Sequence, residues 1–212
     1  RFRQLSAAQR ILFLLVLVGC VTEVGSYVVM LWEVWPNNLP FLHVYTIVEF
    51  ILIISIFYHG KPGWLSIEAY VGLLVGGVSI ALGNIVFFQG IWEVNSFSRS
   101  LESISLILIC LLFFSYTLRK LDELNFSRSF MSWFATAILI YFVANLLLFI
   151  YSDFIVGNNI VTERDQRIFQ IVWSVFNLMN LVRYVLFSIA LYCNDTVENW
   201  RALTASKAGT LS

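Results

Sequence analysis

Six stretches of about 20 or more predominantly apolar residues occupy most of the 212-residue chain, each long enough to cross the hydrocarbon core of a bilayer. They run over residues 11–32, 41–59, 65–91, 101–121, 130–156 and 168–193. Lipid offers no partner to a backbone N–H or C=O, so a spanning segment must be a helix or part of a closed barrel. Barrel strands would be shorter and would alternate polar with apolar, whereas these runs are apolar nearly all round. The predicted fold is all-α: a polytopic integral membrane protein with a six-transmembrane-helix bundle in residues 1–193 and a cytoplasmic tail over 194–212. A composition of 59% hydrophobic and 12% charged residues agrees. The connections are too short to hold a folded soluble domain.

Orientation follows from the basic residues, because Lys and Arg near helix ends are retained on the cytoplasmic side. With the N-terminus inside, the inner segments hold Arg1, Arg3, Arg10, Lys61, Arg119, Lys120, Arg128, Arg201 and Lys207, which is nine. The outer loops hold Arg99, Arg164 and Arg167, which is three. Both termini are therefore expected in the cytoplasm. Trp32, Trp35, Trp64, Trp92, Trp133 and Trp173 fall at or near predicted helix ends, the depth an amphipathic ring prefers, and Trp200 lies just beyond. Arg1, Arg3 and the run to Leu17-Val18-Gly19-Cys20 resemble a lipoprotein signal. The apolar character continues past Cys20 to Leu31, so an uncleaved first helix is expected.

Formal net charge is zero and no run of Lys or Arg is present, which sets aside nucleic-acid binding and a strong polybasic lipid patch. Cys20 and Cys110 lie deep in apolar runs without a second cysteine at metal-ligand spacing, and read as small packing residues. The chain contains no His-Glu-x-x-His, no Gly-x-Ser-x-Gly and no phosphate-cradling glycine loop, so no catalytic residue is assigned. Pro36, Pro40 and Pro62 all fall in predicted connections, so the broken midplane helices of many carriers are not signalled.

Function in such a chain concentrates in polar groups at membrane depth, since each costs about 2.5–3.5 kcal/mol to insert. Glu23, Glu49 and Arg183 lie 12, 10 and 10 residues from their predicted cytoplasmic ends. At about 1.5 Å per residue they share a depth of roughly 15–18 Å, and would meet if the first, second and sixth helices are neighbours. An arginine stays charged and holds one carboxylate ionised, leaving the second acid as an exchangeable proton site. The same groups could instead form a structural ion pair that locks helix order. A titrating Glu49 predicts that Glu49→Gln abolishes a pH-dependent change in binding or flux.

Asn177, Asn180 and Arg183 recur every three residues along the sixth helix, and Tyr141, Asn145 and Ser152 share a face of the fifth. Such amides form interhelical hydrogen bonds or line a polar cavity. On the third helix Ala69, Gly72, Gly76, Ser79 and Gly83 make a stripe of small residues that lets another helix approach. A contact within the bundle is expected there, ahead of a homodimer or a partner membrane protein. His43, Asn84 and Glu102 are further polar candidates towards the outer side. His43 and Glu49 are six residues apart, about 120° around a helix, so no His-built metal site is expected.

Glu23, the stretch Leu42-His43-Val44-Tyr45-Thr46-Ile47-Val48-Glu49-Phe50, the segment Ser98-Arg99-Ser100-Leu101-Glu102-Ser103 and Ala144-Asn145-Leu146 resemble a group of uncharacterised six-helix bacterial inner-membrane proteins. The resemblance implies a bacterial membrane and recurring polar positions, and carries no activity, cofactor or ligand. Similar six-helix modules also serve as sensory inputs of membrane-bound kinases. The expected function is a sensory, signalling or ligand-binding module whose interior polar cluster takes a small lipophilic ligand or a proton. A proton- or ion-coupled transporter or channel and a structural membrane subunit are the alternatives. A water path past Glu49 would favour transport, a pocket open to lipid would favour binding, and a dry paired core would favour scaffolding.

Overall fold

A computed structural model of the protein describes residues 5–33, 35–61, 63–119, 129–157 and 163–193. It contains six helices, each holding a segment long and apolar enough to cross a membrane: α1 (Ala7–Leu31), α2 (Leu39–Gly60), α3 (Ile67–Phe87), α4 (Ser96–Arg119), α5 (Phe130–Gly157) and α6 (Glu163–Tyr192). No strand occurs among the described residues. Arg1, Arg3, Pro62, Lys120, Arg128, Trp200, Arg201, Lys207 and the tail over 194–212 lie outside the described residues, as do the side chains of Ser152 and Arg164.

Local chemistry sets the helix ends. Ser6 caps α1 by accepting from the Gln9 amide while the Gln9 side chain accepts from the Ser6 amide, which satisfies two of the four donors a helix start leaves open. Ser66 caps α3 by accepting from the Ala69 amide, without a reciprocal bond, and Pro40 stands in the first turn of α2, where no N–H is needed. Between α2 and α3, Gly63 adopts φ +79°, a backbone state that costs a residue without Cβ nothing.

The central element is α2, which packs on α1, α3, α4 and α5, while α6 lies against α5. Towards the end of the bundle that holds Ala7 and Tyr192, its buried face is aromatic and aliphatic. Phe57 lies 5.7 Å from Phe113 and 5.4 Å from Phe134 between ring centroids, and Phe134 stacks on Phe187 at 5.6 Å. Lipid tails are as apolar as these side chains, so this half is held by close packing rather than by escape from water. The opposite half of α2 is polar on the same buried side, with His43, Tyr45, Thr46 and Glu49 all enclosed.

The third helix turns a different face inward than its small-residue stripe suggested. Ala69, Gly72, Gly76 and Ser79 are exposed and Gly83 is half-buried. A methyl group on Gly72, Gly76 or Gly83 would meet nothing within 4 Å. The expected contact within the bundle is thus corrected. The inward face carries Tyr70, Leu73, Leu74, Gly77, Ala81 and Asn84, and Gly77 is the glycine pressed against α2, at the Phe50 ring. A run of small residues permits a close approach; the larger apolar side chains beside it decide which face the bundle covers.

The fourth helix also differs from expectation, beginning at Ser96 rather than near residue 101. The polar Ser96-Phe97-Ser98-Arg99-Ser100 stretch reads as a loop, yet hydroxyls in and just after it bond helix carbonyls one turn back. Ser100 donates to the Ser96 carbonyl at 2.7 Å and Ser103 to the Arg99 carbonyl at 2.6 Å. Three bonds tie the preceding loop down: Asn37 to the Trp92 carbonyl, His43 Nε2 to the Glu93 carbonyl and Asn95 to Thr46. Arg99 is thereby carried inside the bundle.

Candidate functional site

Glu49 lies about 15 Å along α2 from Leu39 at helical rise, with no exposed surface. Its two oxygens are shared between two arginines from different helices. Oε1 accepts from Arg183 of α6 at 2.5 Å and from the Tyr45 hydroxyl at 2.9 Å, while Oε2 accepts from Arg99 of α4. Tyr45 and Glu49 stand one helical turn apart and so present both groups to one point. Arg99 also donates at 3.0 Å to Glu102, three residues on, which places a second buried carboxyl at the edge of the cluster. The network holds two guanidinium and two carboxyl groups and closes to neutrality with both acids ionised.

Aromatic faces complete the enclosure. The Arg183 guanidinium lies 4.0 Å from the Tyr141 ring centroid and 5.2 Å from that of Tyr184, and Arg99 lies over Tyr45 and Phe149. Each desolvated cation gains from the negative face of a ring as well as from Glu49. Gly19 makes room for this packing: a β-carbon there would lie 2.9 Å from the Tyr184 hydroxyl and 3.5 Å from that of Tyr45.

Of the three charged residues expected to converge, the structure brings Glu49 and Arg183 together and leaves Glu23 apart. The inward face of α1 runs through Ala8, Leu12, Leu15, Gly19 and Ser26, and Glu23 is exposed at its edge. Sharing a depth does not fix the direction around a helix. Glu23→Leu is accordingly expected to leave the thermal unfolding midpoint in detergent unchanged or raised, within the range of surface substitutions. A drop of several degrees would place Glu23 inside the network.

The remaining candidates divide in the same way. Asn145 is buried beside the cluster, donates to the Tyr141 carbonyl at 2.8 Å and keeps Oδ1 without a partner. Asn180 is half-buried with Oδ1 likewise unpartnered, and Asn177 is exposed. Asn84 bonds Gln89 at 3.0 Å and His43 bonds the Glu93 carbonyl at 3.0 Å, so both brace the loop before α4. Among the described residues no group of three or more His, Cys, Asp or Glu could hold a metal ion. Two members of the cluster were missed. Arg99 stands in a polar stretch that reads as an outer loop, although its spacing to Glu102 fits a helical ion pair, and Tyr45 lies one turn from Glu49.

A crevice lies against this cluster between α2, α3 and α4, lined by Thr46, Phe50, Gly77, Ala81, Ser98, Glu102 and their neighbours. Its volume is about 40 Å³, room for a few water-sized groups. Two of its lining groups are buried and unmatched: Glu102 Oε1 and Ser98 Oγ make no hydrogen bond. Glu49, in contrast, has both oxygens occupied. Of the two acids, the one with spare capacity is therefore Glu102. No family model, curated protein or solved structure matches the chain.

Proposed function

We propose that the protein is a multi-pass membrane module that binds a small amphiphile sideways, through the crevice between α2, α3 and α4, and uses the site for sensing or signalling. The observation that carries this reading is the pairing of Glu102's uncommitted oxygen with an apolar crevice, directly beside a charge network already satisfied at Glu49. An unmatched buried polar atom costs about 1–3 kcal/mol, and a ligand that completes it recovers that cost. Glu49, enclosed and bonded on both oxygens, serves as the tie between α2, α4 and α6 rather than as a proton carrier. That arrangement favours binding over the transporter or channel alternative.

The same reading sets the module in a bacterial inner membrane with both termini cytoplasmic. Moving Arg99 from the outer loop into the paired cluster leaves Arg164 and Arg167, two residues, against the nine on the inner side. The crevice then lies in the outer half of the bundle. A second reading, a subunit that receives another membrane helix, is favoured by the open face of Gly72, Gly76, Ser79 and Gly83.

Organic extraction of the protein purified in mild detergent tests the binding reading. Wild type is expected to release an amphiphile in near-stoichiometric amount. Ser105→Leu, which fills the crevice without touching the ion network, is expected to lose it severalfold. Equal recovery from both proteins, or none from either, would overturn the proposal.

A further inference from the structure

Resting on that reading of the crevice, we propose that its ligand is a neutral hydroxyl-bearing amphiphile, an alcohol carried in the membrane, whose single O–H bridges Ser98 and Glu102. Ser98 and Glu102 are four residues apart on α4 and so project from one face, a turn apart. Both are more than nine-tenths buried, and Ser98 Oγ and Glu102 Oε1 lack partners. The pair presents a hydroxyl that can donate and a carboxylate oxygen that accepts. A ligand hydroxyl matches both at once, accepting from Ser98 and donating to Glu102. Were Glu102 protonated, the same hydroxyl could accept its proton, so a hydroxyl head is matched in either state of the acid.

With both acids ionised, charge selects against the other head groups. A carboxylate or phosphate would bring a negative charge against Glu102, whose neighbouring cation Arg99 is already shared with Glu49. An ammonium has donors only, leaves the Ser98 proton unmatched and adds a third cation to a cluster that is balanced at two and two. Size points the same way. The crevice's 40 Å³ leaves room for a slim head but not for a bulky one. The chain would run out over Ile47, Phe50, Val78, Ile80 and Leu101, which supply apolar walls.

The test compares oleyl alcohol, oleate and oleylamine, which share one chain and differ only in the head, by the rise each produces in the thermal unfolding midpoint of the detergent-solubilised full chain. Oleyl alcohol is expected to bind at least tenfold more tightly than either charged analogue. Ser98→Ala, which leaves the ion network whole, is expected to weaken the alcohol about tenfold, the loss of one well-made hydrogen bond. Glycerol added from water is expected to give no shift, which separates a membrane-borne alcohol from an aqueous one. Equal shifts for the three heads, or an unchanged response in Ser98→Ala, would overturn the head-group assignment. If Ser105→Leu abolishes the shift with oleate or oleylamine instead, amphiphile binding stands and the neutral-alcohol assignment falls. If no probe responds to Ser105→Leu, the crevice reading falls as well.

Discussion

Glu49→Gln is expected to be the most damaging conservative substitution in the chain, lowering stability by about 3–5 kcal/mol, because it leaves two buried guanidinium groups with one remaining acid. Among the described residues Arg183 loses the one carboxylate that pairs with it, and Arg99 keeps Glu102. Arg183→Gln is expected to be milder, since Glu49 retains Arg99 and the Tyr45 hydroxyl. The informative protein is the double variant Glu49→Gln/Arg183→Gln. Its charges fall to one guanidinium and one carboxyl that already touch, so it is expected to recover about 2 kcal/mol or more relative to Glu49→Gln alone. A double-mutant cycle on unfolding free energies in one detergent measures this coupling. Additive losses would mean that Glu49 and Arg183 do not share a bond in the membrane. A wild-type-like Glu49→Gln would mean the network holds nothing together.

This arrangement gives α2 a divided role along its length. Near Phe57 it is gripped by rings from α4 and α5, a contact that many apolar substitutions would preserve. Near Glu49 it is gripped by directed bonds from α4 and α6, which fix register and rotation at once. Apolar packing between helices in lipid is weakly specific, so ionic bonds of this kind are the means by which such a bundle selects one arrangement of neighbours. Glu102 stands at the periphery of that fixed centre, bonded to Arg99 on one side and facing the crevice on the other. A ligand that completes Glu102 acts on Arg99, and through Arg99 on the carboxylate that joins three helices.

Six helices were legible because hydropathy over about 20 residues reports the bilayer directly. The network was legible in part. Glu49 and Arg183 could be matched because helical rise converts sequence position into depth, but depth carries no information on rotation. Glu23 was therefore grouped with them and proves to face outward. Arg99 was hidden for the opposite reason. A serine-rich polar stretch looks like a loop until the Ser100 and Ser103 hydroxyls are seen to bond the carbonyls one turn back, and a charge count assigns to the surface a cation that buried carboxylates hold inside. The crevice left no trace in the sequence at all. It arises where α2, α3 and α4 meet around small residues from two of them, Gly77, Ala81, Ser98 and Ser105, a juxtaposition no single stretch of sequence displays.

Adjacent glycines on α3 give the sharpest check on how that helix is turned. Gly77→Ala places a methyl group within the Phe50 ring, which is itself buried, so α3 must shift or the ring must leave its position. Overpacking of this kind costs about 1–3 kcal/mol. Gly76→Ala, one residue earlier, meets nothing within 4 Å and removes a flexible helix position, for an expected gain of up to about 1 kcal/mol. Thermal unfolding of the two variants in the same detergent should thus move in opposite directions. The reverse order would mean that the stripe, not Gly77, faces the bundle. Gly76→Leu extends the comparison to the open face: a helix from a second copy or another membrane protein seated on Gly72, Gly76 and Gly83 would be expelled by it, with loss of cross-linked species in native membranes. Stability unchanged with cross-linking lost would assign that face to a partner; both unchanged would leave it to lipid. Because Phe50 also walls the crevice, Gly77→Ala is expected to weaken oleyl alcohol binding while Gly76→Ala does not, linking the rotation of one helix to occupancy of the site it borders.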